Sequence, residues 1–120
     1  MDVNALLDTC KLNEFVAIDL ETTGLSAKEE YIIEVSAVKF VNGKENATFS
    51  SLLNPGKPIP SFIEDLTGIS NSMVKGKPSF VDILDDLVEF IGQSAIVGHN
   101  VKFDIDFIKH HSNNKIDLSR

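Results

Sequence analysis

One cysteine, no tryptophan and four prolines in 120 residues exclude several architectures at once. Cys10 has no partner for an internal disulfide and no companions for a cysteine zinc cluster, so it reads as an inert thiol and neither crosslink holds the fold. No apolar run approaches the roughly 20 residues of a bilayer crossing. The opening MDVNALLDTCKLNEF lacks the basic flank and apolar stretch of a signal peptide, so a cytoplasmic chain with no membrane role is expected. Gly56, Gly68, Gly76 and Gly92 stand singly and make no P-loop or Rossmann pattern. Positive charge is scarce as well: 11 Lys and Arg face 18 Asp and Glu, a net charge of −7. That is the wrong sign for holding a polyanion by bulk electrostatics. Such a ligand would need a local group of carboxylates and the divalent cations they attract.

What is present is ordinary globular material, 42% hydrophobic and 24% charged, without repeats or an internal linker. The expectation is one α/β domain over residues 15–120 behind a short N-terminal extension, residues 1–14. Phe15 to Leu20 reads as a buried strand ending in the Thr22-Thr23-Gly24 turn. Tyr31 to Phe40 and Ala47 to Leu53 flank Asn42-Gly43, a strong hairpin signal, and should pair antiparallel. Ser61 to Val74 has room for one or two brief helices.

The clearest helix runs from Ser79, a good N-cap with Asp82 three positions on, to Gly92. Phe80, Ile83, Leu84, Leu87, Val88 and Ile91 form its apolar stripe, while Asp82, Asp85, Asp86 and Glu89 read as its solvated face. Ser94 to Gly98 then predicts a strand, Asn100 caps a helix through about His111, and Lys115 to Leu118 begins another strand. Strands alternating with helices after a meander imply a mixed sheet with flanking helices, its ligands at the carboxyl ends of the strands.

The chemistry concentrates in carboxylates. Asp19 and Glu21 are two apart on a strand and share a face, where like charges are costly unless a cation or proton intervenes. On the helix after Gly98-His99-Asn100, a turn of about 100° per residue puts Asp104 on the side of Val101, Phe107 and Ile108, facing the sheet, with Lys102, Asp106 and Lys109 turned away. A carboxylate buried there needs a cation, a proton or several hydrogen-bond donors. Three acids converging from a strand and a helix suit hard cations such as Mg²⁺ or Mn²⁺. Two such ions about 4 Å apart would serve phosphodiester hydrolysis.

Asp19-Leu20-Glu21-Thr22-Thr23-Gly24-Leu25 and His99-Asn100-Val101-Lys102-Phe103-Asp104 resemble the first two motifs of the DEDD 3′–5′ exonucleases, the family of the bacterial DNA polymerase III proofreading exonuclease. Leu66-Thr67-Gly68-Ile69-Ser70 with Met73-Val74 is similar to that family's segment before its central helix. The resemblance spans about Phe15 to Ile108. It implies a ribonuclease H-like fold with a five-stranded mixed sheet, and Asp19, Glu21 and Asp104 as catalytic ligands of two divalent cations. It also implies a terminal-nucleotide site formed by Thr22, Thr23, Gly24 and Leu25, supported by His99, Asn100 and Phe103, with Leu66 and Ile69 wedged against the last bases. The implied activity is 3′–5′ hydrolysis of single-stranded DNA as proofreading beside a DNA polymerase. RNA trimming and a noncatalytic nucleic-acid or partner-binding module are the alternatives. Core packing is the other reading of Leu66, Ile69 and Phe103.

The family's third motif, a His or Tyr several residues before a final Asp, has no match here. His110 or His111 with Asp117 has the wrong spacing, and His111 lies about 10 Å along the helix from Asp104. Both histidines read as exposed helix-end residues favoured by the dipole. The expectation is a C-terminally truncated exonuclease domain, weak or inactive alone, with self-association through sheet surface left uncovered.

Overall fold

The computed structural model describes residues 13–112, so Cys10, Asp117 and the strand expected at Lys115 to Leu118 lie outside the described residues. Asn42 and Gly43 both take positive φ, 52° and 79°, the twist that a two-residue hairpin requires and that Asn and Gly tolerate best. They join β2 (Ile32–Val41) to β3 (Lys44–Leu52), whose pairing starts immediately after the turn, three residues earlier than the β-branched run alone marks it. β1 (Glu14–Thr22) pairs antiparallel with β2 and parallel with the three-residue β4 (Ala95–Val97). The sheet among the described residues has four strands in the order β3-β2-β1-β4. Five were expected.

Between β3 and β4 lie two short helices, α1 (Ser61–Thr67) and α2 (Asn71–Val74), and the long α3 (Phe80–Ile91). Ser79 caps α3 as its position predicts: its hydroxyl accepts from the Asp82 N–H at 3.3 Å, and the Asp82 carboxylate accepts from the Ser79 N–H at 3.0 Å. The α3 stripe packs on β1 and β2 through Phe80, Ile83, Leu84, Leu87 and Ile91, against Val16, Ile18, Leu20, Val35 and Ala37. Val88 does not complete that stripe and is 40% exposed, because it lies at the margin of the arc that one helix face can bury. α4 (Val101–His111) adds Phe107 and Ile108 to the same core and lies against β1. Asn100 stands at its N-cap position without a side-chain capping bond, since its φ and ψ of −135° and 67° depart from the usual cap conformation.

A second cluster of Ile33, Ile59, Ile63, Ile69 and Val74 seats α1 and α2 on β2. Its β2 member exists because the β1–β2 register slips: Glu21 pairs with Glu34 but Thr22 with Ile32, leaving Ile33 as the extra residue of a bulge beside the acidic pair. No helix among the described residues is long and apolar enough to cross a membrane.

Candidate active site

Alternation along β1 sends Val16, Ile18 and Leu20 into the core and leaves Asp19 exposed and Glu21 half-buried. Because β4 runs parallel beside β1, the chain leaving β4 emerges at the same end of the sheet as those two acids. Gly98 makes that passage. A β-carbon there would stand 2.8 Å from the Ile18 carbonyl oxygen and 3.4 Å from a carboxylate oxygen of Asp104. The first turn of α4 then delivers Asp104, 3% exposed, on the inward side that helical phase predicts. Asp19 and Asp104, with Leu20, Leu25, His99, Asn100 and Phe103, bound one open cavity of about 240 Å³.

The acids act on one another. Asp104 is pushed up to about 6, first by burial, then by the negative charges of Asp19 and Glu21. Glu21 is also raised, by burial, by Asp19 and by Glu34, its cross-strand neighbour on β2. Glu34 belongs to no motif; only the β1–β2 register, set by contacts distant in the chain, places it beside Glu21. An all-oxygen donor set carrying uncompensated negative charge has the chemistry of a hard divalent-cation site. The described residues nevertheless contain no group of three or more His, Cys, Asp or Glu side chains drawn together tightly enough to enclose an ion. The set is open. That is compatible with cations such as Mg²⁺, which keep several waters and use one or two carboxylates beside substrate phosphate.

A larger cavity of about 380 Å³ adjoins the first, sharing Leu20, Leu25 and Phe103 with it. Glu21, Thr22, Gly24 and Leu25 form one side, and Phe62, Ile63, Leu66 and Thr67 of α1 the other. Leu25, Leu66 and Phe62 are 88%, 79% and 65% exposed, a concentration of solvent-facing apolar side chains beside the acids. Phe62 lies outside the motifs. Its spacing of four from Leu66, on the face of α1 away from buried Ile63, is the signal that could find it.

Other candidates sit elsewhere. Ile69 is buried in the α1–α2 cluster, so it packs the fold and cannot wedge against a base. Thr23 is 1% exposed; its hydroxyl accepts from the Tyr31 N–H at 2.9 Å and donates to the Glu30 carboxylate at 3.4 Å, bracing the loop from within. Thr22 donates to the Gly24 carbonyl at 2.6 Å. His111 is not an exposed cation. It is half-buried, its Nε2 is 2.7 Å from the Glu30 carbonyl, and burial leads the causes that hold its pKa below the ordinary histidine value. Only His110 of the two is exposed.

The family model described as Exonuclease, RNase_T, matches residues 16–117. The chain belongs to the RNase_T exonuclease family. This exonuclease domain is 49% identical over 96 residues to a DNA polymerase III PolC-type of Caldanaerobacter subterraneus subsp. tengcongensis, covering 80% of this chain and 7% of that relative. It is 41% identical over 98 residues to the DNA polymerase III subunit epsilon of Aquifex aeolicus, covering 82% of this chain and 48% of the relative. Among solved structures it resembles exonuclease X in complex with 5′ overhanging duplex DNA, with a TM-score of 0.63 and 29% identity over 78% of this chain and 53% of that one. The exonuclease domain thus spans less than half the length of these curated relatives. The exonuclease family and the ribonuclease H-like mixed sheet expected from the motifs are both met.

Proposed function

We propose that this exonuclease domain removes nucleotides from the 3′ end of single-stranded DNA, as the proofreading nuclease of a replicative polymerase in the cytoplasm. One observation supports the reading: Asp19 and Asp104, from two separately attached elements, line one open cavity, and Glu21, whose charge also acts on Asp104, lines the exposed apolar cleft that adjoins it. Asp19, Glu21 and Asp104 would hold two Mg²⁺ or Mn²⁺ ions. Such cations, when bound, supply an activated water and neutralise charge on the phosphate being cleaved.

The chain's own residues do the positioning. Leu25, Phe62 and Leu66 offer apolar surface to the terminal bases, contacts that tolerate any base because every base has a π-face. Phe103, common to both cavities, lies between that surface and the acids. His99 and Asn100 border the acid cavity, where their polar side chains can orient sugar or phosphate. Hydrolysis by this route also calls for a general base and a fourth carboxylate. The 120 residues supply neither at the family's spacing, so we take their activity alone to be weak. The second reading is a module that binds a 3′ end without cutting it.

Calorimetric titration with Mn²⁺, run beside degradation of labelled DNA and RNA strands, separates the readings. Saturable binding with even slow shortening of DNA from the 3′ end supports the nuclease. Binding without turnover supports the module, faster shortening of RNA transfers the activity to RNA, and no Mn²⁺ binding removes both site assignments. A further expected outcome concerns the cleft. Phe62→Ala should weaken single-stranded oligonucleotide binding about tenfold, the loss of one base–aromatic contact, with Mn²⁺ affinity unchanged. Fluorescence anisotropy measures it, and equal binding by wild type and variant would remove Phe62 from the substrate surface.

A further inference from the structure

His111 has no part in the motifs, yet it grips the loop that lines the cleft. That loop closes on itself at its two ends: the Thr23 N–H donates to the Tyr31 carbonyl at 2.9 Å, and the Tyr31 N–H donates back to the Thr23 hydroxyl at 2.9 Å. Between them the Glu30 N–H donates to the Ser26 carbonyl at 2.8 Å. The opening end carries Thr22, Gly24 and Leu25, which line the cleft; the closing end carries Glu30 and Tyr31. The closing end meets α4 through His111.

The contact has a polar and an aromatic side, and the backbone of Ala27, within the same loop, also faces the imidazole. The imidazole Nε2 lies 2.7 Å from the Glu30 carbonyl, which can only accept, so Nε2 carries the hydrogen. The ring also lies against Tyr31, centroids 5.3 Å apart, and stacks on Phe107 at 5.9 Å, which in turn meets Phe103 at 4.8 Å. Phe103, Phe107 and His111 are four apart on α4 and form one ladder from the acid cavity to the loop. Glu30 links the grip to the cleft, since its carboxylate accepts from Thr23 and its side chain fills the space over Gly24 where a β-carbon would otherwise sit. One helix therefore holds Asp104 at its first turn and the nucleotide-side loop at its last.

We infer that His111 is a positioning residue: its Nε2–H bond to the Glu30 carbonyl fixes the Thr22–Leu25 turn relative to Asp104, and so sets affinity for a 3′-terminal nucleotide. The affinity half of this claim rests on the nuclease reading above; the loop half does not.

The test uses the whole chain and two substitutions. His111→Phe keeps an aromatic ring against Tyr31 and Phe107 and removes the donor, whereas His111→Gln keeps a donor at similar reach. His111→Phe should weaken binding of a single-stranded DNA oligonucleotide with a 3′ hydroxyl about tenfold, the worth of one buried hydrogen bond, and speed amide exchange at Thr23 and Tyr31, with the β2–β3 amides unchanged. His111→Gln should restore both to within about twofold. Wild-type behaviour in His111→Phe overturns the inference, as does a His111→Gln variant no better than His111→Phe, because packing alone would then explain the site. The ring tautomer in the unsubstituted chain, read by ¹⁵N NMR at neutral pH, decides the matter even if a variant fails to fold: an Nδ1–H tautomer defeats the proposed bond. If the unsubstituted chain binds no oligonucleotide, the nuclease reading falls with the affinity half, while exchange and tautomer still decide the loop half.

Discussion

Asp104→Asn is expected to eliminate divalent-cation binding and, in the same protein, to make the cation-free fold more stable at pH 7. The sign follows from proton linkage. The Asp104 carboxyl is raised from 3.8 to about 6, so between those values the folded chain holds a proton that the unfolded chain has released. The stability tied to this group is fully present below about pH 3.8 and is lost as pH rises through about 6. At pH 7 the ionised carboxylate, buried and facing Asp19 and Glu21, costs the fold on the order of 2 kcal/mol. Each tenfold change in proton affinity is worth about 1.4 kcal/mol, and water in the open cavity screens part of the repulsion. Asparagine carries no such charge. Urea melts in EDTA from pH 4 to 8 should show the unsubstituted chain weakening from the acid end of that range until pH passes about 6 and levelling off above it, with Asp104→Asn weakening less. Glu21, raised for similar reasons, leaves a residual slope of the same sign. Saturating Mn²⁺ should reverse the ranking, because only the carboxylate form gains from ligand binding to the folded state. Strand degradation in a longer version carrying the third motif should fall below detection in Asp104→Asn. A variant less stable than its parent at pH 7 in EDTA would show that the acid is a structural member of the core.

Gly98→Ala should unfold the site from the backbone side. The added methyl would stand 2.8 Å from the Ile18 carbonyl oxygen, which belongs to β1 and cannot swing aside, and 3.4 Å from Asp104. Relief requires α4 or β4 to back away from β1, an overpacking cost of about 2 kcal/mol or more. For a domain of this size that lowers Tm by about 10 °C, and Mn²⁺ affinity falls with it as Asp104 withdraws. Gly24→Ala is the control. The nearest atoms to its β-carbon would all belong to the Glu30 side chain, a carboxylate oxygen at 2.5 Å first, and a flexible side chain can rotate away. Calorimetric melts of the two variants give the comparison; equal losses would mean that the close approach at Gly98 carries no special weight.

The strands, the hairpin and α3 were legible in the sequence because each is signed locally: Asn42-Gly43 by the φ values it must adopt, α3 by Ser79 with Asp82 and by apolar spacing. Asp104 was legible for a related reason, since helical phase alone fixes which way it faces once α4 is granted. What escaped depended on contacts distant in the chain. Ile69 and Leu66 both look apolar and near a turn, and only the seating of α1 and α2 on Ile33 decides that one is buried and the other bare. His111 resembles any histidine at a helix end until Tyr31 and the Glu30 carbonyl arrive from a loop some 80 positions away. Gly98 gave no sign of its role, because its φ is unremarkable and the constraint is the neighbouring strand.

The bulge between Glu21 and Thr22 has an evolutionary consequence. Side chains on a strand alternate with a period of two, so a slip of one residue would carry Asp19 and Glu21 from the open side to the core. Ile33 absorbs that slip downstream of the pair, its side chain seated in the α1–α2 cluster. The segment from Thr23 to Tyr31 can therefore gain or lose residues over generations while the acids upstream keep their facing. The Asp19–Glu21 pair and the Thr23–Tyr31 segment can thus vary independently on a single scaffold.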